Sequence, residues 1–291
     1  MVATLRRNLR AVLLMAAVTV LVAVGVTLNP GGAASPSPPA ARAHPVPVGY
    51  AGPAVGITES PSPFGSTGSQ QFTSRNWDGY ITYLSSEGTD FNSVAATWVQ
   101  PTVTCEAAGA WTVFWVGLDG WYNDTVEQGG SSAECGAAGS TATYSLWWEM
   151  YPTVAIQKVL TIKAGDTVRA SVVYATLTKV FTITVKDITT GQFFIEHELC
   201  ASGLTCQRSS ADVITEDVGH FGANTFFPLA NYGTMLYAAA HIVDKSGVAG
   251  TISGSGWLNA AVTESSGGIK YASVSPLSPT GGAFNAIWHH Q

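Results

Sequence analysis

Charged residues and cysteines are both scarce in this chain. Only 11% of its 291 residues are Asp, Glu, Lys or Arg, there are four cysteines, and no acidic residue precedes Glu59. The sequence also lacks a long amphipathic helical pattern, a glycine-rich phosphate loop and the G-x-S-x-G, H-E-x-x-H and EF-hand motifs. These absences argue against a helical bundle and leave no motif for nucleotide binding, a serine nucleophile, or a zinc or calcium site.

The residues that are present favour β-structure. Apolar residues make up 46% of the chain, with 31 glycines and 9 tryptophans. From Asn76 onward, short apolar or alternating runs recur between Gly, Ser, Asn and Asp, which form turns. Strands joined without helical crossovers are antiparallel, and a set this large packs as two sheets. We therefore predict an all-β fold, a two-sheet antiparallel β-sandwich.

The first 43 residues have the parts of an export signal. A flank with Arg6, Arg7 and Arg10 precedes an apolar run at 11–28, and a small-residue Ala-Arg-Ala triplet follows. We predict a signal peptide over 1–43 and a secreted, extracellular protein. Because the 18-residue run approaches the lower limit for a membrane span, the alternative is an uncleaved anchor that attaches the protein to the cell surface.

The next stretch, 44–69, has a distinct composition. Nine of the 14 prolines lie before residue 64, and proline cannot donate to a strand ladder. We predict a linker or short pro-segment without a strand ladder over 44–69, and a folded domain over 70–291. Without the first 43 residues, 9 basic side chains remain against 19 acidic ones, a formal net charge of 9 − 19 = −10. This charge disfavours nucleic acid and anionic lipid as partners.

The four cysteines are Cys105, Cys135, Cys200 and Cys206. An even number in an exported chain, with no C-x-x-C or histidine cluster beside it, indicates disulfides rather than a metal site. Four cysteines allow three pairings. We favour Cys105–Cys135 and Cys200–Cys206, because the second pair closes a short loop and the first pins two loops that flank the sequence TVEQGG.

The run YSLWWEMYP places two tryptophans side by side, so they cannot share one face of a strand. Alternation separates Tyr144, Leu146, Trp148 and Met150 from Ser145, Trp147, Glu149 and Tyr151. We assign the first set to the core, together with Trp98. The second set has an acid between two aromatic residues, and we assign it to a groove that binds an extended polymer.

Five motifs, NWDGY, FWVGLDG, TVEQGG, YSLWWEMYP and ADVITEDV, occur in this order between Asn76 and Asp217. In order and spacing they resemble the eqolisin, or glutamic peptidase, family. The resemblance implies a sandwich of two long, curved antiparallel sheets of the concanavalin A-like (lectin and glucanase-like) type. It also implies an endopeptidase that cleaves proteins at acidic pH without a metal or other cofactor. Polypeptide substrates are then the expected partners, and we expect a monomer.

The resemblance also places two catalytic residues. Gln128 in VEQGG takes the position of the family's glutamine, and Glu216 in VITED that of its glutamate. A carboxylate can take a proton from water and later protonate the leaving amine. The glutamine NH₂ can hold the developing oxyanion, and it does not ionise. We expect the glycines after Gln128 to let substrate backbone come close.

Further residues in the motifs are expected to bind substrate or to support the pair. These are Trp77, Trp115, Asp119, Trp147, Glu149 and Tyr151. We predict that Asp119 hydrogen-bonds within the active-site network and that Tyr151 contacts the scissile region. Ser145 departs from the family, where an acidic residue is common, which leaves specificity and pH optimum open. The long pro-segment of fungal members is missing, so we expect no activation by removal of a large propeptide.

Three polar residues near the motifs receive other roles. Gln100 in TWVQP is interpreted as a turn residue. Glu127 alternates to the face opposite Gln128, and we predict that it is solvated. Asp212 shares a face with Glu216 and is treated as its neighbour.

Two other functions are compatible with the composition. Aromatic grooves bind sugars as readily as peptides, so a carbohydrate-binding or glycoside-processing sandwich is the main alternative. A retaining glycosidase needs two carboxylates about 5 Å apart, and the E-x-D-x-E type of strand that usually supplies them is absent. A surface-anchored adhesion domain is the third possibility, favoured if the predicted signal peptide over 1–43 stays uncleaved.

Overall fold

The computed structural model describes residues 49–60, 68–84, 90–220 and 225–290. Across these residues the backbone forms strands and turns, with no helix. This part of the chain accordingly offers no helix that could cross a membrane. The signal peptide expected over 1–43 lies outside the described residues, and like the domain boundaries it stays a prediction.

Nineteen strands lie within the described residues, and they confirm the all-β prediction. In chain order they are β1 Gly49–Tyr50, β2 Thr58–Glu59, β3 Gln70–Ser74, β4 Trp77–Tyr83, β5 Phe91–Val99, β6 Trp111–Leu118, β7 Val126–Glu134, β8 Thr143–Tyr151, β9 Val154–Ile162, β10 Thr167–Ala175, β11 Val180–Asp187, β12 Phe193–Leu199, β13 Ser210–Asp217, β14 Gly219–His220, β15 Thr234–Asp244, β16 Ala249–Gly250, β17 Leu258–Ser266, β18 Ile269–Val274 and β19 Phe284–Trp288.

Most of these strands form two layers packed face to face. One layer has the order β2-β3-β17-β4-β13-β6-β7-β8-β9, and the other has the order β12-β11-β10-β5-β15-β19-β18. The pairing of β17 with β18 joins the layers at one edge. The pairings are antiparallel as expected, apart from that of β17 with β3, which is parallel. The result is the predicted sandwich.

The first layer is covered on both of its faces. Between the layers, Trp98 of β5 reaches across and donates from Nε1 to Ser131 Oγ of β7 at 2.8 Å. Leu146 and Trp148 of β8 are buried in the same core, as predicted. Trp147 points the other way, into a second cluster of buried aromatic side chains on the outer face of this layer. The aromatic outer face is where the candidate site lies.

Both disulfides pair as predicted. Cys105 is bonded to Cys135 and Cys200 to Cys206. The first bond fixes the end of β7, and the second closes the loop that leads into β13. These two strands carry the candidate catalytic residues, so each cross-link holds a strand that the site uses.

Part of the proline-rich stretch joins the sheets. β1 pairs with β14, and β2 pairs with β3. The expectation that this stretch forms no strand ladder is wrong for these residues, because each pairing uses two residues that lie between the prolines.

Glu127 is not solvated, contrary to the prediction from alternation. Its side chain is only 1% exposed. The alternation itself is correct, but the face opposite Gln128 meets the second layer rather than water. Burial raises the pKa of Glu127 well above its ordinary value, and the nearby charge of Asp119 adds to the rise.

A separate group of buried carboxyls comprises Asp78, Asp217 and Glu264, on the adjacent strands β4, β13 and β17. Burial raises the pKa of all three, and that of Glu264 to about 8. The neighbouring charge of Glu264 adds to the rise for the other two. These groups are most easily buried in their neutral form, which acidic pH supplies.

We predict that folding stability declines as the pH rises from acid to alkaline. A carboxyl whose pKa is raised on folding stabilises the fold fully below its unfolded pKa, and this contribution is lost as the pH rises through the folded pKa. For Glu264 that window runs from about 4.5 to about 8. At about 1.4 kcal/mol per pH unit, the loss is on the order of several kcal/mol.

Thermal unfolding, followed by circular dichroism between about pH 4 and about pH 9, measures this dependence of stability on pH. One unit of pKa shift corresponds to ~1.4 kcal/mol. Glu264→Gln should flatten the decline, whereas the exposed Glu106→Gln should leave it unchanged. A protein whose unfolding temperature is equal at both ends of the range would contradict the prediction.

Candidate active site

Gln128 lies in the middle of β7, between β6 and β8. It is opposite Gly117 on one side and Glu149 on the other. The two glycines after it serve packing: a Cβ on Gly130 would lie 1.9 Å from the Phe114 carbonyl oxygen, and one on Gly129 would press against the second layer. The expectation that these glycines admit substrate backbone is therefore replaced by a requirement for close approach of strands and layers.

Glu216 lies near the end of β13, between β4 and β6. It is opposite Trp77 on one strand and Val113 on the other. The side chains of Glu216 and Gln128 are both completely buried. They come together at one peptide unit, which belongs to the proline-rich stretch of the same chain.

That peptide unit joins Ala51 and Gly52. The Gln128 side chain donates from Nε2 to the Ala51 carbonyl oxygen at 2.6 Å. The Gly52 backbone N–H donates to Glu216 Oε1 at 3.0 Å. An amide donor thus faces the carbonyl oxygen and a carboxyl faces the nitrogen of a single peptide bond.

Three donors from different elements surround the Glu216 carboxyl. Asn76 Nδ2 donates to Oε1 at 2.9 Å, together with the Gly52 N–H, and Trp115 Nε1 donates to Oε2 at 3.0 Å. Burial raises the pKa of Glu216 well above its ordinary value, and these hydrogen bonds oppose the rise. The hydrogen bonds therefore fix the position of the Glu216 carboxyl. Burial away from water increases its affinity for a proton.

Glu149 fixes the orientation of the Gln128 amide. Its Oε2 accepts from Gln128 Nε2 at 3.2 Å and from the Ala51 backbone N–H at 2.9 Å. Both neighbours of Nε2 are acceptors, so the NH₂ end of the amide must face the Ala51 carbonyl. Burial raises the pKa of Glu149 well above its ordinary value, the Ala51 N–H opposes this, and the charge of Glu216 adds to the rise.

The aromatic residues expected in the groove lie around the same peptide unit. Trp77 donates from Nε1 to the Gly52 carbonyl oxygen at 2.9 Å, and its ring packs edge-on against Trp115 with centroids 5.0 Å apart. The Tyr151 ring lies 5.2 Å from that of Tyr50, the residue before Ala51.

Asp119 has a different position from the one expected. Its carboxylate accepts from Asn123 Nδ2 and from the Ser209 backbone N–H, both at 2.7 Å, and from Thr125 Oγ1 at 3.4 Å. These bonds tie the loop after β6 to the start of β13. Asp119 therefore stabilises the start of β13, whereas Glu216 lies near the other end of the same strand. The hydrogen bonds of Asp119 are separate from the contacts around Ala51–Gly52.

Sequence reasoning missed Asn76. It lies inside the NWDGY motif, directly before Trp77, and its amide bridges the Glu216 carboxyl and the Pro53 carbonyl oxygen, which it reaches at 3.1 Å. An asparagine just before a strand is ordinarily interpreted as a turn former, so the residue type alone gave no signal for a site role.

Fold and site together define an all-β sandwich that presents a buried acid and amide to a peptide bond. The sequence profile of the peptidase A4 family matches residues 75–280, and the chain belongs to this family. Scytalidopepsin B of Scytalidium lignicola is 31% identical over 190 residues, 59% of this chain. The matched region spans 64% of that relative, just under two thirds of its length.

Solved structures of eqolisin-type peptidases share the fold. Scytalido-glutamic peptidase with a peptide-based transition-state analogue superposes with a TM-score of 0.62 at 24% identity, over 74% of this chain and 98% of that one. SCP-B, an eqolisin in complex with the tripeptide Ala-Ile-His, gives 0.60 at 23% identity with the same coverage. Aspergilloglutamic peptidase from Aspergillus niger gives 0.51 at 20%, over 62% and 99%.

We predict that Trp115→Phe raises the pKa of Glu216 by about one pH unit. The substitution removes the indole donor to Oε2, and losing a hydrogen bond to the charged form costs about 1.5 kcal/mol or more. A ¹³C NMR titration of side-chain-labelled glutamate, with the Glu216 signal assigned from Glu216→Gln, measures the pKa.

Trp147→Phe is the matched control. Trp147 is completely buried in the same aromatic cluster, and among the described residues its Nε1 has no hydrogen-bond partner. An equal shift of the Glu216 pKa in both variants would show that ring packing, rather than the donor, sets the pKa.

Proposed function

We propose that this chain is a secreted endopeptidase that hydrolyses peptide bonds of protein substrates at acidic pH with Glu216 and Gln128. The observation that carries the proposal is the placement of these two side chains on the two ends of the Ala51–Gly52 peptide unit. Membership of the peptidase A4 family supports the same reaction class.

Each side chain has a role that its contacts suit. Glu216 takes a proton from water as the oxygen attacks the carbonyl carbon, and it returns a proton to the nitrogen as the C–N bond breaks. Gln128 donates from Nε2 to the carbonyl oxygen, where negative charge develops in the transition state. Glu149 keeps that NH₂ group aimed at the oxygen. Base, acid and oxyanion donor are thereby supplied by side chains, and the mechanism uses no cofactor.

The burial of Glu216 explains how one carboxyl serves an acid peptidase as a base. With the groove open to water, burial is reduced and the pKa of Glu216 falls toward its ordinary value, so a useful fraction is ionised in acid. A peptide in the groove removes that water, which raises the pKa of the carboxyl, while the hydrogen bond from the peptide N–H opposes part of the rise. Substrate binding therefore makes Glu216 a stronger base at the moment when it must deprotonate water.

Export is part of the proposal. Two disulfides within the described residues are of the kind that persists in oxidising compartments outside the cytosol. The basic flank and apolar run at the N-terminus supply an export signal.

The two carboxyls of the site also meet the residue requirement of a glycosidase, which uses a pair of acids. Three observations favour peptide hydrolysis instead. The Ala51 N–H donates to Glu149, the Gly52 N–H donates to Glu216, and the Gly52 carbonyl accepts from Trp77. These partners recognise a peptide backbone, and a sugar ring offers no matching sequence of N–H and C=O groups.

We predict that Gln128→Ala lowers kcat by about 10²- to 10³-fold, the usual effect of removing one oxyanion donor. Glu216→Gln should reduce activity at least as much, because the amide can neither accept nor return the proton. Digestion of a denatured, reduced protein between about pH 2 and pH 5 measures both, with peptide products identified by mass spectrometry.

Glu127→Gln provides the matched control, since Glu127 is a buried carboxyl next to Gln128 that faces the opposite side of β7. It should keep near wild-type activity. Retained digestion in Gln128→Ala or Glu216→Gln, with each variant shown to be folded, would refute the assignment. Loss of wild-type digestion on adding a metal chelator would point to a different class of hydrolase.

A further inference from the structure

The residues that fill the candidate site belong to the chain itself. Residues 49–55, which we name the N-terminal segment, run through the candidate site, in the groove between Gln128 and Glu216. Ala51 is completely buried against the aromatic cluster of the outer face. The predicted pro-segment covers these residues, yet the structure places them between the catalytic candidates.

Backbone hydrogen bonds hold the N-terminal segment on both sides of the Ala51–Gly52 bond. On the upstream side, Gly49 and Tyr50 form β1, which pairs with β14 directly after Glu216's strand. On the downstream side, the Ala54 N–H donates to the Gly120 carbonyl at 3.0 Å, and the Val55 N–H donates to Asn76 Oδ1 at 2.8 Å. A bound substrate would be held by the same kind of contacts.

The side chains of the segment fit the groove closely. A Cβ on Gly49 would lie 2.6 Å from Val218 Cγ1 and 2.7 Å from the Trp111 ring, so the groove accepts only glycine there in this path. Tyr50 packs its ring against Tyr151, and Ala51 leaves no space for a longer side chain. The match is specific to this short sequence rather than to any extended chain.

We propose that the N-terminal segment is an intramolecular substrate, that it blocks the groove, and that the chain frees its own site by cutting the Ala51–Gly52 bond. The proposal rests on the proposed peptidase function and deepens it. It assigns a self-cleavage site and a preference for small residues on both sides of the cut bond. It agrees with the expectation that no large propeptide is removed, because a short segment is enough to fill the site.

The cleavage step consumes one water molecule. Water oxygen bonds to the Ala51 carbonyl carbon while Glu216 takes one of its protons, and Gln128 holds the former carbonyl oxygen. The Ala51–Gly52 C–N bond then breaks, and Glu216 returns the proton to the Gly52 nitrogen. The products are a new carboxyl terminus at Ala51 and a new amino terminus at Gly52. No oxidant, reductant or second reactant is needed.

Cleavage weakens the hold on the segment unequally. Residues before Gly52 keep the two-residue pairing of β1 with β14 and the hydrogen bonds of Ala51 with Glu149 and Gln128, but they lose the covalent link to the rest of the fold. Residues after Gly52 remain covalently attached and are anchored further on by the pairing of β2 with β3. We therefore expect the upstream peptide to leave and the downstream part to stay tethered at the rim of the groove.

The test follows the full chain after transfer from neutral to acidic pH. Three chains are compared, namely wild type, Glu216→Gln and Ala51→Arg. Intact mass and N-terminal sequencing report the cut, and digestion of an added denatured protein reports activity. In wild type we expect a new terminus at Gly52 whose appearance coincides with the rise of activity, at a rate that about tenfold dilution of the chain leaves unchanged. Glu216→Gln should stay uncut at this bond.

Ala51→Arg tests the block without requiring the cut. Arginine does not fit the buried position of Ala51, so the segment should leave the groove and activity should begin without the wild-type lag. Three results would overturn the inference: wild-type activity with the Ala51–Gly52 bond intact, cleavage of that bond in isolated Glu216→Gln, or an unchanged lag in Ala51→Arg. Absence of digestion by every chain, including Ala51→Arg, would instead refute the proposed function itself.

Discussion

A carboxyl buried in a β-sheet must find hydrogen-bond donors, and the position of Glu216 among its donors is the constraint on which the site depends. Asn76 approaches from the turn before β4, Trp115 from β6, and the Gly52 N–H from the peptide in the groove. The first donor lies in the turn that leads into β4 and the second lies in β6, and these two strands flank β13. The third donor belongs to the Ala51–Gly52 peptide unit, so under the proposed function the pKa of Glu216 depends on whether a peptide lies in the groove.

The sandwich serves this arrangement by giving the first layer two buried faces. The inner face packs on the second layer and fixes the strands in register. The outer face carries the aromatic cluster, which excludes water from the candidate site. The glycines after Gln128 allow β7 to approach β6 and the second layer closely. Because β7 and β13 are both held this firmly, the amide and the carboxyl keep a fixed geometry.

Much of the fold could be predicted from the sequence because it rests on local signals. Alternation separated Trp148 from Trp147, and loop length with export context gave the disulfide pairs. The motifs led to Gln128 and Glu216, although only the folded chain shows that both reach one peptide unit. Alternation alone could not tell that the face opposite Gln128 is a second sheet, and so it misplaced Glu127.

Other features of the site depend on tertiary contacts that no local pattern encodes. The role of Asn76 comes from the residue it meets 140 positions further along the chain. The path of residues 49–55 through the groove depends on short pairings between prolines, which composition alone describes as a linker. Asp119 was expected from its motif to hydrogen-bond within the active-site network, whereas its hydrogen bonds hold the neighbouring loop.

The most direct test of the account is whether a peptide in the groove raises the pKa of Glu216. Two full-length chains are compared by ¹³C NMR titration, Gln128→Ala and the double variant Gln128→Ala, Ala51→Arg, in which arginine is expected to expel the segment. We expect a lower Glu216 pKa in the double variant, because the effect of the water that enters the groove outweighs the loss of the Gly52 N–H donor. Equal pKa values, with the segment shown to be displaced, would contradict the account.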